Sequence, residues 1–358
     1  MKQIAQEFWR DRHVIITGHM GFKGSWLCAL LAKLGAQTFG FGKDDRAPLL
    51  YKTLRLSGHM SQNGDINDYS AVAAAMRSSQ ADVLIHLAAQ PLVLASYSDP
   101  IGTFETNVLG TAKVLAAARE APALKAAVIV TSDKVYQNSE WPWPYRENDT
   151  LGGADPYSAS KAAAEIVTRS MAMSYFPGHS GPQVVTARSG NVIGGGDWAE
   201  HRLLPDAARA LSRGEPLVCR NPDSVRPWQH VLDPLLGYLL LAQTIASSDV
   251  PLQSAWNFGP SQEDALRVRD VADIFTRNWS SSARWITSDR SPETKEAGRL
   301  TIDSSLARGQ LGWRPHWSAR EAVERTARWY HAHAQGADAN MLVEQEIADF
   351  TAVEGATT

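Results

Sequence analysis

Residues 13–34 read HVIITGHMGFKGSWLCALLAKL, and the fold turns on how they are read. Val14-Ile15-Ile16 is a short, β-branched apolar run, the pattern of a strand buried on both faces. Glycines follow at 18, 21 and 24, and a helical pattern opens at Ser25. Glycine lets the backbone turn tightly and approach a pyrophosphate, whose charge then meets the helix N-terminus. Strand, GxxGxxG turn and helix in that order predict the start of a dinucleotide-binding βαβ unit. Phe22 and Lys23 lie inside the turn and join Gly18, Gly21 and Gly24 as candidate cofactor contacts.

Working outward, apolar runs at 13–17, 36–42, 83–88, 126–132 and 183–189 alternate with helical stretches at 24–34, 68–79, 105–120 and 157–175. That alternation predicts an α/β fold, a Rossmann-type doubly wound parallel sheet. Residues 1–190 are expected to form the NAD-binding domain. Beyond about 190 the chain turns Gly-, Pro- and Trp-rich, with an amphipathic helix at 318–334. A smaller C-terminal substrate-binding domain is expected over 191–358, with the chain returning to the first domain near 228–258.

Asp44 follows the second strand, 20 residues after Gly24. A carboxylate there bonds a ribose 2′-hydroxyl and repels a 2′-phosphate, which favours NAD over NADP. Lys43 and Arg46 flank it and can serve a phosphate; a solvated turn is the plain alternative for Asp44 and Asp45. Asp65 and Ile66, after Gly64, are placed to edge the adenine. In HLAAQ (86–90) the small Ala88 and Ala89 leave room for a backbone passing over a cofactor. Gln90, Asn107 and Thr131 complete the candidate cofactor set.

Composition narrows the classes. The chain has 358 residues, 44% apolar and 20% charged, enough for a substantial core. A net charge of −3 without basic runs gives no electrostatic reason for nucleic-acid or membrane partners. Cys28 and Cys219 make no disulfide framework, and no Cys/His cluster has metal-ligand spacing; HAH at 331–333 fits an exposed helix. The N-terminus lacks the apolar stretch of a signal peptide, and the apolar run at 234–242 falls short of the ~20 residues that span a bilayer. The expectation is a cytoplasmic protein. Most of the twelve tryptophans are expected under loops of the second half.

Two further stretches carry chemistry. PYSASKAAAE places Tyr157 and Lys161 at i and i+4, one turn apart on one helix face. A nearby ammonium and a cationic nicotinamide favour the Tyr157 phenolate, which can take the proton of a sugar hydroxyl. VIVTSDKVYQN (128–138) ends a strand in Ser132-Asp133-Lys134, an acid beside a base. Neighbours on a strand point to opposite faces. Both can reach one ligand only if the chain leaves strand geometry near Ser132. A surface salt bridge or capped loop is the alternative.

TGHMGFKGSWL (17–27), HLAAQPLV (86–93), TSDKVY (131–136), DPYSASK (155–161), RSGNVIGGGDW (188–198), RPWQHV (226–231) and WNFGP (256–260) together resemble the extended short-chain dehydrogenase/reductase family. Within it the chain is similar to nucleotide-sugar 4,6-dehydratases, most closely those acting on CDP-glucose; the cytidine base rests wholly on resemblance. The resemblance implies NAD, a nucleotide-sugar substrate and a 4-keto-6-deoxy sugar product. Hydride leaves C4 for NAD with Tyr157 as base and Ser132 or Thr131 bonding the C4 oxygen. Water is lost across C5–C6, and hydride returns to C6. Asp133 protonates the departing C6 hydroxyl. The next residue, a glutamate in dTDP-glucose relatives, is Lys134 here, and Glu147 is a reserve candidate for the C5 base. A lysine takes a proton only as the free amine, against a reference pKa of ~10.4. The required state is therefore a protonated Asp133 beside a neutral Lys134.

For the nucleotide sugar, Gln90, Ser132, Asn191, Arg202, Arg226 and His230 are candidates. Arg188 is a third arginine for the diphosphate, and the Gly194–Gly196 run offers backbone to it. A structural role is the alternative for Arg226 and His230. Relatives pair helices like 105–120 and 157–175 into a four-helix bundle, so a homodimer is expected. A nucleotide-sugar epimerase, which needs no acid–base pair for elimination, and a non-catalytic NAD-binding module stay open.

Overall fold

The computed structural model describes residues 4–44, 50–176, 181–248, 250–288 and 298–352. Seven strands form one all-parallel sheet: β1 (His13–Thr17), β2 (Gln37–Gly42), β3 (His59–Asn63), β4 (Val83–His86), β5 (Ala126–Val130), β6 (Gln183–Ser189) and β7 (Ala255–Phe258). Their order is β7-β6-β5-β4-β1-β2-β3. The chain runs outward on one side from β1 and on the other from β4. The crevice at the carboxyl ends of that adjacent pair is where doubly wound sheets take ligands.

The helices of eight residues or more are α1 (Phe22–Leu34), α2 (Tyr69–Ser79), α3 (Thr111–Ala118), α4 (Pro156–Tyr175), α5 (Leu203–Ser212), α6 (Leu232–Ser247), α7 (Val268–Trp279), α8 (Ala319–Ala334) and α9 (Ala339–Ala352). Strand alternation divides the sheet's side chains between two cores. Ile15, Leu84, Ala127 and Ile129 pack with α2 and α3. Val14, Ile16, Val83, Ile85, Val128 and Val130 face α1 and α6. Side chains of Asp68, Asp155 and Ser318 cap α2, α4 and α8, and Pro156 occupies the first turn of α4.

Differences from expectation sit at element ends. β4 stops at His86 and β5 at Val130, each two residues early, which frees the following residues to form the crevice. The stretch expected as one helix over 105–120 follows short helices at 93–98 and 100–104. It opens with π-type turns at Glu105–Gly110 and continues as α3 to Ala118. α6 and β7 bring the second half back to the sheet. One apolar cluster runs from Ile4 to Phe350, so the halves share a core. Trp26, Trp228, Trp256, Trp313, Trp317 and Trp329 are buried in it, whereas Trp141 and Trp143 are exposed. Among the described residues no helix is long and apolar enough to cross a membrane, and no cluster of three His, Cys, Asp or Glu could hold a metal.

Candidate active site

The turn after β1 forms a cradle. Gly18 has φ +74°, and a Cβ there would lie 2.6 Å from the Ala88 nitrogen; one on Gly24 would lie 2.3 Å from the Gly18 carbonyl oxygen. Thr17 Oγ1 pairs with His86 Nδ1 at 2.6 Å, so the ends of β1 and β4 are tied together at the crevice. Gly21 begins α1 with no side chain capping it, and the first turn holds no acidic residue. The free N–H groups there suit a pyrophosphate.

Asp44 lies two residues beyond β2, with Lys52 on its carboxylate at 2.8 Å. Lys43 pairs with Asp65 at 2.7 Å. Arg46 and Asp45 lie outside the described residues. Ile66 is buried against Gly110. These residues fit NAD: a glycine cradle, an uncapped helix start and a carboxylate just beyond the second strand.

Gln90 and Asn107 hold each other instead of offering free groups. The Gln90 N–H donates to Asn107 Oδ1 at 2.8 Å, and Asn107 Nδ2 donates to the Gln90 carbonyl and to Ser160 Oγ at 2.9 Å. The Gln90 amide donates to Thr103 Oγ1 and accepts from the Leu92 N–H. Expected as ligand contacts, both act here by fixing the loop after β4 against α4.

At the tip of β5 the chain leaves strand geometry as the chemistry requires. Ser132 is extended, and a 3-10 turn follows over Asp133–Val135. Ser132 Oγ donates to Asp133 Oδ1 at 3.0 Å and accepts the Lys134 N–H at 3.2 Å. It also lies close enough to the Tyr157 phenol to favour its ionised form. Burial holds the Asp133 carboxyl above the ordinary range, against the pull of Lys134, Ser132, Arg226 and Lys23. Asp133 Oδ2 is buried without a hydrogen-bond partner among the described residues. Lys134 is half-buried.

Tyr157 and Lys161 stand one turn apart on α4, both buried. Burial raises the Tyr157 phenol, while Ser132 and Arg202 oppose it. Lys161 donates to the Val130 carbonyl at 3.4 Å; burial pushes it down to about 8, with Glu165 opposing. Lys23 projects into the same group, donating to Ser189 Oγ at 2.8 Å and Tyr238 Oη at 3.3 Å. Burial, then Lys161 and Arg202, push its ammonium down to about 7. Sequence reasoning placed Lys23 on the cofactor and missed Ser189 and Tyr238, which are distant in the chain.

Beneath this group lies a hub that the sequence did not reveal. Buried Glu165 pairs with Arg188, Nε to Oε1 at 3.0 Å and Nη2 to Oε2 at 2.8 Å, and accepts from Thr186 Oγ1 at 2.7 Å and from Thr131 Oγ1. Arg188 also donates to Tyr136 Oη at 2.8 Å and the Glu147 carbonyl at 2.9 Å. Two expectations change. Arg188 is a structural partner of Glu165, not a diphosphate ligand, and the Thr131 hydroxyl is engaged by Glu165. Glu147 accepts the Asn257 N–H at 2.9 Å, so its carboxylate serves the second half of the chain.

The second half supplies the rim. Arg226 is buried near enough to Asp133 to act on its charge, and donates to the Val225 carbonyl at 2.9 Å. Arg202 pairs with Asp197 at 2.8 Å and faces Tyr157 and Lys23. The Asn191 carbonyl accepts the Gln229 N–H at 3.1 Å. His230, a candidate sugar contact, is instead buried between Trp26 and Trp317, 3.9 Å from Glu346, and burial lowers it to about 3. It is a packing histidine. The Gly194–Gly196 run also differs from expectation, because Trp329 lies on Gly195, where a Cβ would come within 1.8 Å of the indole. The Trp26 indole N–H donates to the Gly195 carbonyl at 2.9 Å, so packing, not a diphosphate, requires glycine.

A cradle at the end of β1 and a buried Tyr157–Lys161 pair at the sheet's centre define the class of short-chain dehydrogenases/reductases. The family model for GDP-mannose 4,6 dehydratase matches residues 15–326. The CDP-glucose 4,6-dehydratase of Salmonella typhimurium is 41% identical over 97% of this chain and 98% of its own. A dTDP-glucose 4,6-dehydratase of Streptomyces antibioticus is 32% identical over 75% of each. Among solved structures, an epimerase of Methanothermobacter thermautotrophicus superposes with a TM-score of 0.83 at 23% identity, covering 96% of this chain and 97% of that one. The dTDP-glucose 4,6-dehydratase DesIV of Streptomyces venezuelae, solved with NAD and TYD bound, gives 0.76 at 24% identity, covering 90% and 98%. The chain belongs to the GDP-mannose 4,6 dehydratase family.

Proposed function

We propose that this protein is an NAD-dependent lyase converting CDP-glucose to CDP-4-keto-6-deoxyglucose. One observation carries the choice of dehydratase over epimerase: Asp133 is buried beside Tyr157 and Ser132, with its carboxyl held above the ordinary range. An epimerase has no hydroxyl to expel and no use for such an acid. The relationship to the Salmonella enzyme supports the choice of nucleotide sugar.

Bound in the cradle, NAD supplies the hydride acceptor for sugar C4 and the donor for C6. The chain's residues do the rest. Tyr157, as phenolate beside Lys161, takes the O4 proton while Ser132 holds that oxygen. The resulting ketone acidifies C5, and Lys134 takes the C5 proton. Asp133 gives its proton to the C6 oxygen from Oδ2, which leaves as water. Arg202 and Arg226 face the diphosphate. Residues 1–190, with the returning α6 and β7, form the cofactor half, and the remainder forms the nucleotide-sugar half.

We further propose a homodimer, supported by an apolar surface of Ile101, Leu109, Ile166 and Met173, each more than half exposed.

The test is incubation with CDP-, dTDP-, UDP- and GDP-hexoses in deuterated water, followed by NMR. Solvent deuterium at C5 with a new C6 methyl is the expected result from CDP-glucose. An unchanged C6 with inverted C4 means an epimerase, and NAD binding without turnover means a non-catalytic module.

A further inference from the structure

If the dehydratase reading holds, its proton balance demands one more transfer. In each turnover the O4 proton goes to Tyr157, and a proton of Asp133 departs in the water. The C5 base takes a proton and returns one, ending as it began. Tyr157 therefore finishes protonated and Asp133 ionised. The next turnover needs the reverse, so one proton must pass from phenol to carboxylate for every product made.

Ser132 stands between the two. A hydroxyl has one donor and two acceptor sites. The Lys134 N–H takes one acceptor site at 3.2 Å, and the donor points at Asp133 Oδ1 at 3.0 Å. The Tyr157 phenol lies close enough for the Ser132 hydroxyl to favour its ionised form, and the remaining acceptor site is open to it. Tyr157, Ser132 and Asp133 are 8%, 6% and 2% exposed, so bulk water has poor access to any of them. The Asp133 charge opposes a phenolate on Tyr157, which favours a single proton shared by the pair. The carboxylate divides its tasks as well. Oδ1 faces Ser132, and Oδ2, without a protein partner among the described residues, is left for the departing hydroxyl.

We propose that Ser132 is the relay that resets the site between turnovers. The Tyr157 O–H bond breaks as its proton moves to Ser132 Oγ, the Ser132 proton moves to Asp133 Oδ1, and a half-turn of the carboxyl then presents the protonated oxygen to the departing hydroxyl. A phenolate and a carboxylic acid remain, no electron changes hands, and no co-reactant is needed. The transfer follows product release, when the sugar oxygen no longer engages the hydroxyl. Any other route ends in the same protonation state; the relay determines how fast that state is reached.

Ser132→Ala separates this role from the bond to the C4 oxygen. Rapid quench with CDP-glucose measures the single-turnover rate and kcat in wild type, Ser132→Ala and Ser132→Thr. Loss of one hydrogen bond to the sugar slows the first turnover by about tenfold. Loss of the relay slows kcat by on the order of 100-fold or more. The ratio of single-turnover rate to kcat is therefore expected to rise at least about tenfold in Ser132→Ala and to return in Ser132→Thr. Equal falls in both rates would overturn the relay. Ser132→Cys serves the same comparison if Ser132→Ala does not fold. Failure of wild type to give a 4-keto-6-deoxy product from any nucleotide hexose sinks the dehydratase reading itself, before any variant is made.

Discussion

Asp133 and Lys134 are chain neighbours with unequal surroundings. The acid is sealed in and fixed by Ser132, whereas the lysine is half-buried on the same 3-10 turn. If Lys134 is the C5 base, Lys134→Met should cut 4-keto-6-deoxy product by about 100-fold or more. C4 oxidation should persist, with reduced NAD accumulating in the absorbance spectrum. Full product formation would remove Lys134 from that role. The pH response has a definite sign. Lys161 is pushed down to about 8, and its ammonium supports the phenolate, so the activity it supports is present below about 8 and falls as pH rises through that value. At this scale the sequence was informative wherever spacing alone fixes proximity. Tyr157 and Lys161 are one turn apart on any helix, and an acid beside a base at a strand end marks where the chain turns after Ser132. It was uninformative for Arg188 and Thr131, because each is claimed by a glutamate 23 and 34 residues away.

Elements were legible where local chemistry marks their ends. Asp68, Asp155 and Ser318 cap the helices they precede, and alternation along β1, β4 and β5 sorts side chains between two cores. The polar HMSQN of β3 is an edge strand whose burial does not alternate. The glycine run 194–196 shows how a motif can point at the wrong cause. Flexible backbone suggested a phosphate, but the indole of Trp329, 134 residues downstream, dictates the absence of a side chain. Gly195→Ala should therefore destabilise the protein by about 2–3 kcal/mol, read by denaturant unfolding, because a buried indole cannot swing aside. A loss below about 0.5 kcal/mol, the usual size for a tolerant surface site, would mean that the indole yields.

For the whole molecule, the doubly wound sheet followed from the order of strands and helices, whereas the sharing of one core by both halves did not. That sharing depends on α6, β7 and α9, whose apolar faces say nothing about their partners. The exposed strip on 101–109 and α4 predicts association. Ile166→Asp should turn a dimer into a monomer in light scattering while leaving the melting of the monomer fold intact, since Ile166 is 61% exposed and outside the core. A wild-type monomer would refute the proposed dimer, and a dimeric variant would place the interface elsewhere. α9 packs on α1 and on residues 50–53, with Asp338 paired to Arg55 at 2.6 Å, and Val343, Ile347 and Phe350 complete the cluster that begins at Ile4 and Trp9. The helix that carries the glycine cradle is thus sealed by a helix made long after it. During synthesis the cofactor half emerges early but keeps one apolar flank open until residue 350 is made. Stable retention of a dinucleotide therefore waits for α9, and the open flank is a natural site for chaperone capture before then.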